Sequence, residues 1–510
     1  MELSGTEEAL PSVAVMAGTR RDREKNLQRP LRLPKGRKAS YGAGQLIELT
    51  VESTMNIFVL FYATAVCGLP GGLAGLAIGA GVVIDAIVNP LIGSLSDGWR
   101  SRFGRRVPFM AISLVPIILT FNLIFALPSG LGQMALFLWL MLLSVSLRVA
   151  LSLFTVPYLA MGAELTDDYN ERSSVAAWRW GIGILGTVAV ILLGYGVFFA
   201  GPGGTSQRDA YLPLTMTLSL ILLIGAAAAI RQGLMARSLT QPAEAPVEAI
   251  HLRLFDELRE IFRSRTFRVL FAAGLLFNIE AGIHQALGLH VITYFWQLQA
   301  GQIQTLGMVS VLGLIIAAPL AGPLLKRFEK RTMLIFSMIG MVTCHALPAT
   351  LKLLGLMPFT GHALIGFLAA IALAGGALMA MSIISFVSII PDAADKHEYD
   401  FGTRREGLYF AGWSFATKAA TGAGVLVAGL VLQLVDFPRN LAEQGPAAIL
   451  SKGTAELLAF AHGPGAALLS LGGIAMVLFY RIDRQTHGRI ITELTARRGA
   501  SGASPAGGRS

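Results

Sequence analysis

The chain has 510 residues, 54% hydrophobic and 14% charged, and its mean hydropathy of +0.62 excludes an ordinary water-soluble globule. Its formal net charge of +10 resides mainly in segments between apolar runs, so it marks membrane topology rather than a nucleic-acid footprint. Its 2 cysteines, Cys67 and Cys344, lie far apart without metal spacing, which excludes a disulfide framework or a cysteine zinc site.

Residues 1–40 form a polar, basic stretch that reads as a disordered tail. It does not read as a signal peptide, because a full-length apolar run follows it. Twelve apolar runs come next, at 46–67, 73–96, 108–128, 134–159, 174–200, 211–231, 268–297, 303–326, 332–353, 360–390, 406–435 and 463–481. Each is long enough to cross ~30 Å of hydrocarbon as a helix. Lipid requires backbone groups to bond within their own segment, and the alternation of a membrane β-barrel is absent. The expected fold class is therefore all-α and membrane-embedded.

Lysine and arginine concentrate in the N-terminal stretch, in the loops after the even-numbered runs, and beyond 484. The opposite loops carry only Arg208, Arg439 and Lys452. Positive charge stays inside, so both termini are expected in the cytoplasm of a multi-pass plasma (inner) membrane protein. The expected domains are an N-terminal half at 41–231, a linker at 232–267, a C-terminal half at 268–483 and a cytoplasmic tail at 484–510, disordered from about 496. Within the linker, "HLRLFDELREIFRSRTF" places Leu252, Phe255, Leu258 and Phe262 on one helical stripe, as in a helix lying on the membrane surface.

The halves echo one another. "NPLIGSLSDGWRSRFGRR" follows the second run and "APLAGPLLKRFEKR" the eighth, matching Pro90 and Gly93 with Pro319 and Gly322. "AELTDDYNERSSVAAWRW" follows the fourth and "PDAADKHEYDFGTRREGLYFAGW" the tenth, each loop acidic and then basic before a helix with Trp178 or Trp413. A duplicated transporter with its solute site between the halves has this pattern. Asp97, Arg100, Arg102, Arg105, Arg106, Glu164, Asp168 and Arg172 are the charges expected to latch these inner loops.

Charges inside the runs are costly, about 2.5–3.5 kcal/mol each at a helix centre, so they mark function or tight pairing. Asp85 and Asn89 are one turn apart and offer a carboxylate and an amide oxygen to a cation or proton. Lys418 lies too deep in its run to reach water easily and needs an anion, for which Asp85 is the preferred partner across the halves. The alternative for both is a static ion pair. Glu48–Glu52 and Glu280–His284 are two further i, i+4 pairs able to carry a proton or make a polar helix contact. Arg148 is expected to pair with Glu48 or Glu52, and Arg179 to reach Glu164, Asp167 or Asp168. No phosphate-cradling glycine loop precedes a Lys-Ser/Thr pair, so neither ATP drive nor an enzyme is indicated.

"DAIVNPLIGSLSDGWRSRFGRRVPF", "VPYLAMGAELTDDYNERSSVAAWR" and "YGAGQLIELTVESTMNIFVLFYAT" together resemble the glycoside–pentoside–hexuronide:cation symporters, the melibiose-permease-like branch of the major facilitator superfamily. The resemblance implies a fold of twelve helices in two six-helix halves, alternating access and cation-coupled uptake. It places the cation site's first aspartate on Asp85, its asparagine on Val88, its second aspartate on Asn89 and its hydroxyl on Ser152. The eleventh-helix lysine falls on Lys418 and the fifth-helix arginine on Arg179. The sugar-binding aspartates of the first and fourth helices fall on Leu49 and Thr155, and the fourth-helix tryptophan on Leu159.

These residues lead to an expected monomeric, cation-coupled symporter of a sugar or sugar-like solute, with no cofactor or bound metal and with the lipid bilayer and solute as partners. A proton is favoured over sodium, because Asn89 lacks the second negative oxygen a sodium site would want. Glu48, Glu52, Arg148, Thr155, Arg179, Glu280, His284 and Trp413 are the solute-pocket candidates. Transport of an apolar solute or lysolipid, export, and a non-transporting membrane sensor or scaffold are the alternatives.

Overall fold

The computed structural model describes residues 33–166, 168–236, 259–438, 441 and 450–502. The first 32 residues, Asp167, Arg439 and most of the linker, with Leu252, Phe255 and Leu258 of its amphipathic stripe, lie outside them. The described residues are helical and loop, without strands.

The helices are α1 (Lys35–Gly42), α2 (Gln45–Thr54), α3 (Gly71–Gly98), α4 (Val107–Ile124), α5 (Gln133–Glu164), α6 (Tyr169–Leu193) and α7 (Tyr211–Ala236) in the first half. The second half has α8 (Arg265–His290), α9 (Ala300–Arg327), α10 (Lys330–Leu353), α11 (Gly361–Phe401), α12 (Glu406–Leu434), α13 (Lys452–Phe460), α14 (Ala466–Leu478) and α15 (Arg484–Gly502). Among the described residues, 11 helical spans are long and apolar enough to cross a membrane. The first expected run is also helical, from Gln45 to Val66, but π-helical stretches at Met55–Val59 and Tyr62–Val66 interrupt it.

Four expectations need correction. Lys35–Gly42 is helical and tied down, not tail: Lys38 pairs with Glu171 at 2.7 Å and Ser40 donates to the Ala228 carbonyl. The acidic stretch after the tenth run is not a loop, because α11 continues to Phe401 and stops where Gly402 takes φ 77°. Charge marks where hydrocarbon ends, not where a helix must end, and Lys396–Asp400 is a helix-compatible i, i+4 pair. The last span begins at Lys452, and a π-helical stretch at Ala461–Gly465 carries it past Pro464. The tail is helical through Gly502 rather than disordered from 496, because Arg498 and His487 find the acids Glu398, Asp392 and Asp395 on α11.

Both halves pack in the same pairwise order. In the first, α3 and α4 lie against α5, and α2 against α6. In the second, α9 and α10 lie against α11, and α8 against α12. The halves meet chiefly along α3 and α12. Here the glycine-rich "GLPGGLAGLAIGAG" has its use: a Cβ on Gly79 would sit 2.8 Å from the Gly422 carbonyl oxygen, and one on Gly429 would sit 2.3 Å from that of Gly71. Small residues let the two backbones touch where lipid gives no hydrophobic drive for association.

Candidate functional site

The glycine seam ends at a charge. One α-helical step beyond the Gly79–Gly422 contact, Lys418 Nζ of α12 lies 2.5 Å from Asp85 Oδ2 of α3. Ser152 of α5 donates to the other carboxylate oxygen, so each Asp85 oxygen has a partner on a different helix. Asp85 is 4% exposed, whereas the Lys418 side chain is 33% exposed. The lysine is the more accessible member of the pair, and the aspartate is held at both oxygens. One turn on, the Asn89 side-chain carbonyl is buried without a hydrogen-bond partner among the described residues.

From this pair toward the basic loops the two helices part company. On α12 the face bearing Lys418 is buried at Gly422 and Val425 but exposed at Ala411, Ser414 and Phe415. At the other end the halves also meet through Thr64 Oγ1 and His290 Nε2 at 2.8 Å and through stacked Phe61 and Tyr294.

Around Asp85 the first half supplies further charge. Arg148, Ser152 and Thr155 share one face of α5. Arg148 pairs with Glu52 at 3.1 Å. Glu48 accepts from Gln45 at 2.7 Å and lies within electrostatic reach of Glu52, Lys418 and Arg179. Thr155 is half-buried and makes no side-chain hydrogen bond among the described residues. Arg179 departs from expectation. It lies beside the Tyr41 hydroxyl and over Trp180, and Glu164 is already taken by other arginines.

At the basic-loop end, Arg106 reaches Asp97 at 2.5 Å and Glu164 at 2.9 Å, and Arg105 reaches Glu164 at 2.5 Å. Asp168 accepts from the Glu171 amide to cap α6, and Arg172 donates to the Thr166 carbonyl. Arg102 covers Phe103, and Arg100 is exposed.

Glu280 and His284 do not join the Asp85 cluster and do not hydrogen-bond one another among the described residues. Glu280 accepts from His345 Nδ1 at 2.6 Å and from Ser470 at 3.2 Å. His284 stacks between His345 and His462, with ring centroids 3.5 and 3.9 Å away. The three histidines line a cavity of about 480 Å³, walled mainly by α8–α11 and reached by Ile57, Ile191 and Tyr195 of the other half. Trp413 is not among the cavity's lining residues; it packs on Phe386 and over Gly274. His345, His462 and Gln45 are missing from the expected set. His345 carries the same signal as His284, an ionisable residue in an apolar run.

A helical bundle of this pattern, with paired charges buried between two like-packed halves, defines a membrane transporter of the major facilitator type. The sequence matches the family described as MFS/sugar transport protein over residues 40–484, and the chain belongs to that family. It is therefore a multi-pass integral membrane protein from a family of transporters, not of enzymes. It is similar to the isoprimeverose transporter of Lactiplantibacillus pentosus, 22% identical over 78% of this chain and 79% of the relative. It is also similar to the sphingosine-1-phosphate transporter MFSD2B of Xenopus tropicalis, 22% identical over 95% of this chain and 96% of the relative. Among solved structures, the nucleoside transporter NupG shares the fold, with a TM-score of 0.56 and 13% identity over 87% of this chain and 100% of that one.

Proposed function

We propose that the protein is a cation-coupled symporter of a sugar or sugar-like solute that works by alternating access, with a proton as the coupling ion. On this reading it has twelve crossings in two six-helix halves, including the interrupted helix Gln45–Val66, and acts as a monomer with both termini on the cytoplasmic side of the plasma membrane. The observation that carries the reading is the Asp85–Lys418 pair, set where close packing between the halves stops. Protonating Asp85 removes the charge that holds Lys418, and the glycine seam then opens or closes around it. On this reading, the exposed α12 face at Ala411, Ser414 and Phe415 belongs to a conformation open toward the basic loops.

Asp85→Asn tests this in proteoliposomes. The variant is expected to lose concentrative uptake while remaining folded in the membrane, and full accumulation by it would overturn the reading. A proton gradient should drive uptake at fixed sodium. Uptake stimulated by sodium at fixed pH would instead assign the ion to Asp85, Ser152 and the unpartnered Asn89 oxygen. The solute is identified by thermal stabilisation across a panel, since a ligand bound only by the folded state raises the midpoint.

A second reading, transport of an amphiphile, is favoured by the mostly apolar walls of the 480 Å³ cavity and by the likeness to MFSD2B. Stabilisation by a lysolipid and by no sugar in the panel would select it.

A further inference from the structure

The Glu280–His345–His284–His462 group takes no part in the coupling site above. We propose that Glu280, His284 and His345 form a binding site for a divalent transition-metal ion in the wall of the second half's cavity. One ligand atom from each of the three lies within 4.8 Å of the other two. A tetrahedral ion with bonds of about 2.1 Å needs ligand atoms roughly 3.4 Å apart, so rotating a ring completes the approach.

The ligands come from two helices, Glu280 and His284 from α8 and His345 from α10. Their surroundings have the form of a supported metal site. Glu280 is 1% exposed and is held by Ser470, and it faces His345 Nδ1. The His284 Nδ1 faces the His462 carbonyl oxygen at 3.3 Å. A ring nitrogen fixed this way orients the other nitrogen for a metal. Among the described residues neither His284 Nε2 nor His345 Nε2 has a hydrogen-bond partner, and both residues line the cavity. The rings of His284 and His345 are nearly parallel, 7° apart, so their in-plane lone pairs run side by side and one ring must turn for both nitrogens to meet one ion. His462 stacks on the far face of His284.

Imidazole with one carboxylate selects zinc, cobalt, nickel or copper over magnesium or calcium. Three protein ligands leave a coordination position open to the cavity, where an oxygen of a solute has access. No cysteine or histidine spacing announces this site, because its ligands converge only through helix packing.

The test uses the full chain without a histidine tag, stripped with chelator in detergent and titrated with cobalt(II). The expected result is one ion retained per chain through gel filtration, with the intense visible absorption of a four-coordinate nitrogen–oxygen site. His284→Gln and His345→Gln should each abolish that band, and Glu280→Gln, which removes the one charged ligand, should weaken binding. His487→Gln, altering a histidine near the basic loops, should leave the band unchanged. Wild-type protein that retains no ion, or a band unaffected by both ligand variants, overturns the proposal. Should His345→Gln aggregate, His284→Gln and the wild-type stoichiometry decide the matter alone.

Discussion

The two halves fasten the same corner of the fold by different means. In the first, Arg106 at the start of α4 grips Asp97 at the end of α3 and Glu164 at the end of α5. In the second, Lys330 at the start of α10 grips Asp392 of α11 at 2.7 Å, but Lys326 stands where the repeated motif has Asp97. The terminal helix α15 supplies the missing tie. Arg484 donates to the Lys326 and Phe328 carbonyls, His487 reaches Asp392 and Asp395, and Arg498 grips Glu398. Both halves tie this corner, but different segments do it. One half closes its corner within its own helical core, whereas the other depends on residues that follow its last span.

The sharpest way to break this contrast is Glu164→Ala. That carboxylate serves both Arg105 and Arg106, and the Arg106 side chain is only 9% exposed. A buried charge left wholly unpaired costs about 3–5 kcal/mol, but Arg106 keeps Asp97 and Ser96, so the expected loss is smaller, ~2 kcal/mol. Unfolding in detergent should show a lower midpoint, and hydrogen exchange should rise at the basic-loop ends of α3–α5 but not of α9–α11. An equal rise in both halves would mean that the corners are not independent.

Much of the Asp85–Lys418 cluster was legible because charge in hydrocarbon is expensive. Asp85 and Lys418 each required a partner, and so did Arg148 with Glu52. The apolar runs likewise mark most of the spans. What escaped was whatever depends on packing rather than on cost. Arg179 lies by Tyr41 instead of Glu164 because the loop arginines occupy that acid first. The histidine cluster joins residues about 60 to 180 positions apart, and no local pattern brings them together. Helix ends were misplaced where charged but helix-favouring residues, as in "DAADKHEYDF", continue a helix beyond the membrane.

Ending the chain after Asp483 should have the next largest effect. It removes several partly exposed pairs, each worth about 0–1 kcal/mol, so the expected total is ~1–2 kcal/mol. Hydrogen exchange should rise at the basic-loop ends of α9–α11, the reverse of the Glu164→Ala pattern. Unchanged protection there would show that α15 rests on the second half without holding it.

Lys326→Asp should have the smallest effect and probe the contrast most finely. It installs the acid that the second half lacks, four residues before Lys330 across the extended bend between α9 and α10. In the full chain the corner is already tied, so a partly exposed pair should add no more than ~0.5 kcal/mol. In the chain ending at Asp483 the same substitution should recover a larger share of the lost stability, because the two ties then substitute for each other. The measurement is a double-mutant cycle on the unfolding midpoint, in which neighbouring contributions fail to add. Simple additivity would mean that the acid and α15 act on separate parts of the half. A coupling of ~0.5 kcal/mol or more would identify α15 as the second half's replacement for Asp97.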